Sequence, residues 1–290
     1  MPRASSAALQ QAAAAAAADL DGGVLDAALA ILRERDGLDL SGYRRSTLAR
    51  RVRNRMISAG ARGPADYLER LRADPGETPR LLDRLTIKVS RFFRNPAAVA
   101  AVRAALAAEL ARAPRRLALW SAGCGRGEEP YTLARLLADL GQPDGAPAVL
   151  ATDLDEAALA AARRARYAPD AVGDVPGALR ERWVGPADAE PGALEVRPEL
   201  RARVSFARHD LVRDEAPRRG GFDLVACRNA LIYFDPPLQQ RALRVLCDAI
   251  APGGLLWLGE AEWPAGDVAA RLVPVSRQAR LFRLEGRAHA

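Results

Sequence analysis

The sequence predicts a doubly wound α/β domain built on a mostly parallel sheet, preceded by a small all-helical domain. Three observations predict it. From Arg116 onward, β-like apolar runs alternate with helical patterns, which is the signature of a parallel sheet with crossover helices. The run Leu119-Trp-Ser-Ala-Gly-Cys-Gly-Arg-Gly-Glu-Glu-Pro-Tyr131 reads as a strand passing through a glycine turn directly into a helix. Residues 21–89, by contrast, show only three- and four-residue apolar spacings.

In the helical region Val24, Leu25, Leu29, Ile31 and Leu32 form one stripe, and Leu48, Val52, Met56 and Ile57 a second. Tyr67, Leu68 and Leu71, then Leu81, Leu82 and Leu85, continue the pattern. Turn signals at Asp36-Gly37, Gly63-Pro64 and Asp74-Pro75-Gly76 cut it into four short helices. Residues 1–20 are an alanine-rich tail with a single preceding Arg3 and the interruptions Gln10 and Gln11, which makes a poor export signal.

Residues 90–98 link this region to the α/β domain, residues 99–290. After Pro96 a helix is expected to about Arg112. Strands follow over Arg116–Ala122, Ala148–Thr152, around Phe206, Phe222–Arg228 and Leu255–Gly259, with helices over Glu128–Leu140, Glu156–Arg166 and Pro237–Ile250. Gln278–Leu284 is expected as an antiparallel edge strand. Residues 174–203, broken by Pro176, Gly177, Gly185, Pro186, Pro191, Gly192 and Pro198, are too long for a simple connection. We expect an excursion with its own short antiparallel sheet, placed where such insertions serve recognition.

In the glycine turn, Gly123, Gly125 and Gly127 let backbone approach a ligand where a Cβ would collide. A dinucleotide site prefers a glycine where Glu128 stands, and a second acid follows at Glu129. Two carboxylates at a helix N-terminus suit its dipole but repel a pyrophosphate. A cationic or hydroxyl-rich ligand is the better fit, and S-adenosyl-L-methionine answers that description; the bland alternative is a glycine-rich turn with an acidic first helical turn. Asp153, ending the second strand, sits where a carboxylate accepts from a ribose diol, whereas Asp155 is better placed as a helix N-cap. Arg228-Asn229 puts polar groups at the end of another apolar strand. Tyr233, between Ile232 and Phe234, either packs or aims its hydroxyl at a reacting centre. Ser90, Arg91 and Arg94 surround Phe92-Phe93 in the linker and are costly to order unless they contact something.

Composition narrows the function classes. With 290 residues and 49% hydrophobic content the chain can bury a large core. Cys124, Cys227 and Cys247 form no C-x-x-C pair, so neither a disulfide framework nor a zinc site is indicated and no metal is expected; a reducing cytoplasm is the expected setting. No stretch has the roughly 18 consecutive apolar residues of a membrane span. The net charge is +7, Lys88 being the one lysine. Arg44, Arg45, Arg50, Arg51, Arg53, Arg55 and Arg62 lie in a stretch without an acid, which is either a solvated helix face or a dock for an acidic partner. Aromatic residues are 5% of the chain and none interleave with this basic run, so a base-stacking surface is not expected.

Five spaced motifs, Ser90-Arg-Phe-Phe-Arg-Asn95, Trp120-Ser-Ala-Gly-Cys124 with Gly127-Glu-Glu-Pro-Tyr-Thr132, Ala151-Thr-Asp-Leu-Asp155, Cys227-Arg-Asn229 with Ile232-Tyr-Phe-Asp235, and Pro252-Gly-Gly254 with Leu258-Gly-Glu260, resemble the CheR family of chemotaxis receptor methyltransferases. The resemblance runs in order from about residue 24 to residue 284. It implies a class I methyltransferase-like fold. It also implies transfer of a methyl group from S-adenosyl-L-methionine to receptor glutamates, tuning adaptation and releasing S-adenosyl-L-homocysteine. Cofactor contacts are implied for Ser90, Arg94, Glu129, Asp153, Asp210, Leu211, Asn229 and Ala230, with Arg94 and Tyr233 near the reacting methyl group. Arg44, Arg45, Arg51, Arg53 and Arg55 would meet the acidic helical signalling domain of a methyl-accepting chemotaxis receptor, and the 174–203 excursion corresponds to a β-subdomain that in some members grips a tether peptide. A cytoplasmic monomer is expected.

The chain departs from the family pattern at Ser90, where threonine is usual, at Lys88 and Asp210, which each replace an asparagine, and at Gly259-Glu-Ala-Glu262, which lacks a histidine. The competing readings are a methyltransferase for RNA or a small metabolite, and a cofactor-binding adaptor without activity. Salt-dependent RNA binding would mark the first, and failure to label a receptor fragment the second.

Overall fold

The computed structural model describes residues 22–86, 90–173, 175, 177, 182–188 and 190–285. The alanine-rich tail and Lys88 therefore lie outside the described residues. These residues fall into two compact units.

The first unit comprises residues 22–86 together with Tyr233–Asp235. It contains the four expected helices, α1 (Gly22–Asp36), α2 (Arg45–Ser58), α3 (Pro64–Ala73) and α4 (Glu77–Leu85). Leu25, Ala28, Ile31 and Leu32 of α1 and Leu48, Val52 and Met56 of α2 are buried, as the apolar spacing requires. Ile57 departs from the stripe and is 56% exposed. The interior also holds a polar knot: Arg55 donates from Nε and Nη2 to the two oxygens of Glu77 at 2.7 and 2.6 Å, and the Tyr67 hydroxyl donates to Oε1 at 3.0 Å. Burial works against the Glu77 charge, yet the Arg55 fork and Tyr67 hold its pKa below the ordinary value.

The second unit takes the remaining described residues, including the linker. Helix α5 (Pro96–Arg112) is capped by Asn95, whose side chain accepts from the Ala98 N–H. The large sheet has the strand order β6 (Val204–Arg208), β2 (Val149–Asp153), β1 (Leu119–Ala122), β7 (Phe222–Cys227), β8 (Ile250–Leu258), β10 (Leu281–Leu284) and β9 (Leu272–Ser276). The first five are parallel, and β10 is antiparallel to both its neighbours. Every residue of β1 and β7 is buried, as central strands covered on both faces require. Helix α6 (Glu128–Asp139) follows β1, and α7 (Glu156–Arg164) follows β2; a short α8 (Pro198–Arg201) precedes β6, and α9 (Pro236–Ala249) precedes β8. Trp120 on β1 and Trp257 on β8 are fully buried at the centre of the core.

Three expectations are corrected. The terminal strand is not the edge: β10 lies between β8 and β9, and the edge is β9, Leu-Val-Pro-Val-Ser, which the sequence reading missed. Pro274 inside it argued against a strand, but an edge position is where a proline does least harm to the ladder. The helix expected to reach Arg166 stops at Arg164, because Ala165 turns left-handed at φ 57° and Arg166 enters β3 (Arg166–Tyr167). That strand makes the excursion larger than expected. It pairs antiparallel with β5 (Leu194–Val196), which pairs antiparallel with β4 (Val184–Pro186), giving the small three-stranded sheet.

Candidate active site

The site is built at the carboxyl edge of the large sheet, where β1 has β2 on one side and β7 on the other. Neighbouring strands leave in opposite directions at such a switch point, which opens a crevice. After Ala122 the chain makes the expected turn, with Gly123, Gly125 and Gly127 all at positive φ (72°, 57° and 100°). Gly127 tolerates no side chain, since a Cβ there would come within 2.9 Å of both Ala162 Cβ and the Tyr167 hydroxyl. Gly123 is exposed and closely approaches Ala230, whose Cβ would lie 3.3 Å from a Cβ at that position.

Asp153 ends β2 and holds the turn in shape. Its Oδ2 accepts from the Gly125 N–H at 2.8 Å and its Oδ1 from the Asp155 N–H at 3.0 Å. Asp155 is the N-cap of α7, accepting from Ala157 and Ala158, as its position in the sequence suggested. Asp210, after β6, is buried; its Oδ1 accepts from Val212 N–H at 2.8 Å, and Leu211 beside it is also buried.

Glu129 in the first turn of α6 accepts from the Ser121 hydroxyl at 2.7 Å and faces Arg228 at 3.6 Å. Burial nevertheless pushes the Glu129 carboxyl up and the Arg228 guanidinium down: desolvation outweighs the attraction between the two charges. The Arg228 guanidinium carbon lies over the Trp257 ring, 4.1 Å from its centroid, and Nη2 donates to the Arg94 carbonyl at 3.0 Å. Sequence reasoning placed Arg228 at this edge but assigned it no task. The structure makes it the link between the edge and the linker.

The linker is anchored on the same unit. Phe92 and Phe93 are buried, the Phe92 N–H donates to Ala171 O, the Phe93 N–H donates to Thr132 Oγ1, and the Arg135 guanidinium covers the Phe93 ring at 4.8 Å. Phe93 and Asn95 are both left-handed, at φ 57° and 61°, so half-buried Arg94 sits between two strained residues. Ser90 is half-buried at the start of this segment.

Asn229 is left-handed as well, at φ 62°. Glu262 maintains it: this buried carboxylate accepts from the backbone N–H groups of Asn229 (2.9 Å), Gly259 (2.7 Å) and Ile232 (3.3 Å). Burial raises the Glu262 pKa in spite of those donors. Sequence reasoning quoted Glu262 within a motif and missed this clamp; an acid four residues after the end of a buried strand was the available signal. Glu260, at the position where the family pattern has its histidine, accepts from Asn95 Nδ2 at 2.6 Å.

Tyr233 belongs to the helical unit, where Arg51 lies over its ring. The arginines expected to meet a partner divide. Arg51 is buried and donates to the Leu85 carbonyl, and half-buried Arg55 is committed to Glu77. Each of these two side chains is engaged with a group of its own unit. Arg44, Arg45 and Arg50 are exposed, with Arg45 paired to Asp26 at 2.7 Å, and Arg53 is half-buried.

The second unit thus gathers Arg94, Glu129, Asp153, Asp210, Leu211, Asn229 and Ala230 on one sheet edge and its linker. The carboxylates make that edge rich in acceptors, and Gly123 leaves backbone open to approach. Such a set fits a ligand with a sulfonium, an ammonium and a ribose diol, and does not fit a pyrophosphate.

Comparison with known proteins agrees. The family model described as CheR methyltransferase, SAM binding domain, matches residues 88–270, and that of the CheR methyltransferase all-alpha domain matches residues 25–86. A chemotaxis protein methyltransferase of Klebsiella aerogenes is 33% identical over 237 residues, covering 80% of each chain. A probable biofilm formation methyltransferase, WspC, of Pseudomonas putida is 37% identical over 246 residues, 83% of this chain and 56% of that protein. An uncharacterised 104.1 kDa protein of Rhodobacter capsulatus is 36% identical over 250 residues, 82% of this chain but 26% of its own length. The chain thus spans about half of the WspC relative and about a quarter of the Rhodobacter one. Among the described residues no helix is long and apolar enough to cross a membrane. With both domain models matched in order along most of its length, the chain belongs to the CheR methyltransferase family.

Proposed function

We propose that the protein transfers the methyl group of S-adenosyl-L-methionine to glutamate side chains in the cytoplasmic helical signalling domain of a methyl-accepting chemotaxis receptor. The observation that carries this reading is the acceptor-rich sheet edge, Glu129 and Asp153 around a glycine turn, in a chain with both CheR domains. The bound cofactor supplies an activated methyl on a sulfonium. In this reading Asp153 holds the ribose hydroxyls, Glu129 the ammonium group, Asp210 and Leu211 the adenine end, and Ser90, Asn229 and Ala230 line the remainder.

The acceptor needs no strong base, because a glutamate with a reference pKa of about 4.3 is already ionised at neutral pH. With the cofactor bound, a glutamate carboxylate oxygen would take the methyl group in line, a C–O bond replacing the S–C bond, with S-adenosyl-L-homocysteine as the leaving group. The enzyme's work is to align that oxygen and strip its water. Arg94 and Tyr233 orient the reacting groups. Exposed Arg44, Arg45 and Arg50, with Arg53, offer the positive face for an acidic helical partner.

The test is incubation with radiolabelled S-adenosyl-L-methionine and a receptor signalling fragment. Label released as methanol by mild base and mapped to glutamates supports the reading. Label on RNA or a small molecule alone, or none, overturns it.

A further inference from the structure

We propose that Arg51 is a positioning residue for Tyr233 and not a contact for the receptor. The proposal rests on the methyl-transfer reading above.

The segment Tyr233–Asp235 is gripped by the residues that lead into α2. The Arg44 N–H donates to the Tyr233 carbonyl at 2.8 Å, Arg44 Nε donates to the Phe234 carbonyl at 3.1 Å, and the Asp235 N–H donates to Gly42 O at 2.9 Å. Tyr43 and Phe234 form an antiparallel bridge, their rings edge to face with centroids 4.9 Å apart. These contacts fix the backbone of Tyr233. Its ring is fixed by Arg51, whose guanidinium carbon lies 4.4 Å from the ring centroid.

Arg51 is itself locked. It is 6% exposed, and its Nη1 donates to the carbonyl of Leu85, the last residue of α4, where the helix dipole favours a cation. A buried guanidinium held over the face of a tyrosine ring restricts the ring and hence the line along which the hydroxyl points. The same burial removes the charge from any acidic surface. Arg51 is therefore poorly placed to meet a partner, and its side chain lies over the Tyr233 ring.

The two roles separate in kinetics. With the full chain, labelled S-adenosyl-L-methionine and a receptor signalling fragment, Arg51→Ala is expected to lower kcat roughly tenfold to a hundredfold, the size of effect a misplaced reacting group produces. The KM for the fragment stays within about twofold. Arg51→Lys, which keeps a cation on a flexible stem, restores part of kcat. In a Tyr233→Ala background Arg51→Ala has no further effect. A raised KM with kcat intact, or an undiminished effect in that background, overturns the proposal.

A measurement independent of turnover uses 13C-tyrosine labelling. With five tyrosines in the chain, the Tyr233 ring signals are assigned from Tyr233→Phe, and they shift in Arg51→Lys. Signals unmoved in a folded Arg51→Lys protein overturn the contact. Absence of methyl transfer by the unaltered chain overturns the reading beneath the proposal; full transfer by Arg51→Ala overturns the proposal alone.

Discussion

The Glu262 carboxylate accepts the backbone N–H of Asn229 at 2.9 Å while also holding Gly259 and Ile232, so one buried side chain ties the loop after β7 to the end of β8. Gly259 must lack a side chain for this, because a Cβ there would lie 2.6 Å from Glu262 Oε2 and 2.8 Å from the Asn229 nitrogen. Removing the carboxylate strands three backbone donors, that of Gly259 buried and those of Asn229 and Ile232 half-buried. Glu262→Ala is expected to destabilise the protein by about 3 kcal/mol or more in urea unfolding and to weaken cofactor binding, with Glu262→Gln milder. Unaltered stability and affinity in the alanine variant would show the clamp to be idle.

Glu128 gives a pH dependence. Burial pushes its carboxyl up from 4.5 to about 7, with Arg126 opposing. Between those values the folded state keeps a proton that the unfolded chain has released, so this group's contribution to stability is lost as pH rises through the window. Glu128→Gln should therefore be more stable than the parent at pH 8, by up to about 3 kcal/mol, with the advantage shrinking towards pH 5. Parallel melting curves across that range would refute this.

Asp153 is predicted to serve both turn and ligand. Asp153→Ala removes the acceptor of the Gly125 and Asp155 N–H groups as well as any hydrogen bond to the ribose, and should weaken S-adenosyl-L-methionine about tenfold or more. Asp153→Asn should fall between. Calorimetry returning the parental affinity for the alanine variant would refute its role.

Arg228 is predicted to resist conservative exchange. Arg228→Ala leaves Glu129 buried without its cation and should cost about 3–5 kcal/mol. Arg228→Lys should recover little, because a single ammonium cannot both cover the Trp257 ring and reach the Arg94 carbonyl and Glu129. Full stability in the lysine variant would rule out the stacked geometry as the reason for an arginine here.

Much of this is legible in the amino-acid sequence. The four helices begin and end near their glycine and proline signals, and the glycine turn adopts the three positive φ angles its residues invite. Asp155 caps its helix while Asp153 faces the turn. The order of strands at the far edge is not legible: Pro274 disguises β9, and adjacency in a sheet is decided by pairing and not by the apolar pattern of one strand. The intramolecular partners of the arginine-rich helix are not legible for a related reason. Spacing puts Arg51 and Arg55 near their charged neighbours in sequence, but the partners that neutralise or stack on them, Glu77 and Tyr233, lie 22 and 182 positions away.

Local sequence thus determined which segments are helix or strand, where the backbone turns left-handed, and which acids lie beside the glycine turn, because each depends on a few neighbouring residues. Tertiary structure alone decided that Glu262 holds Asn229, that Arg228 joins Trp257 to the linker carbonyl, and that Arg51 faces Tyr233. Each of those brings together groups far apart in the chain in a setting with little water, where a charge must find a partner or pay for its desolvation.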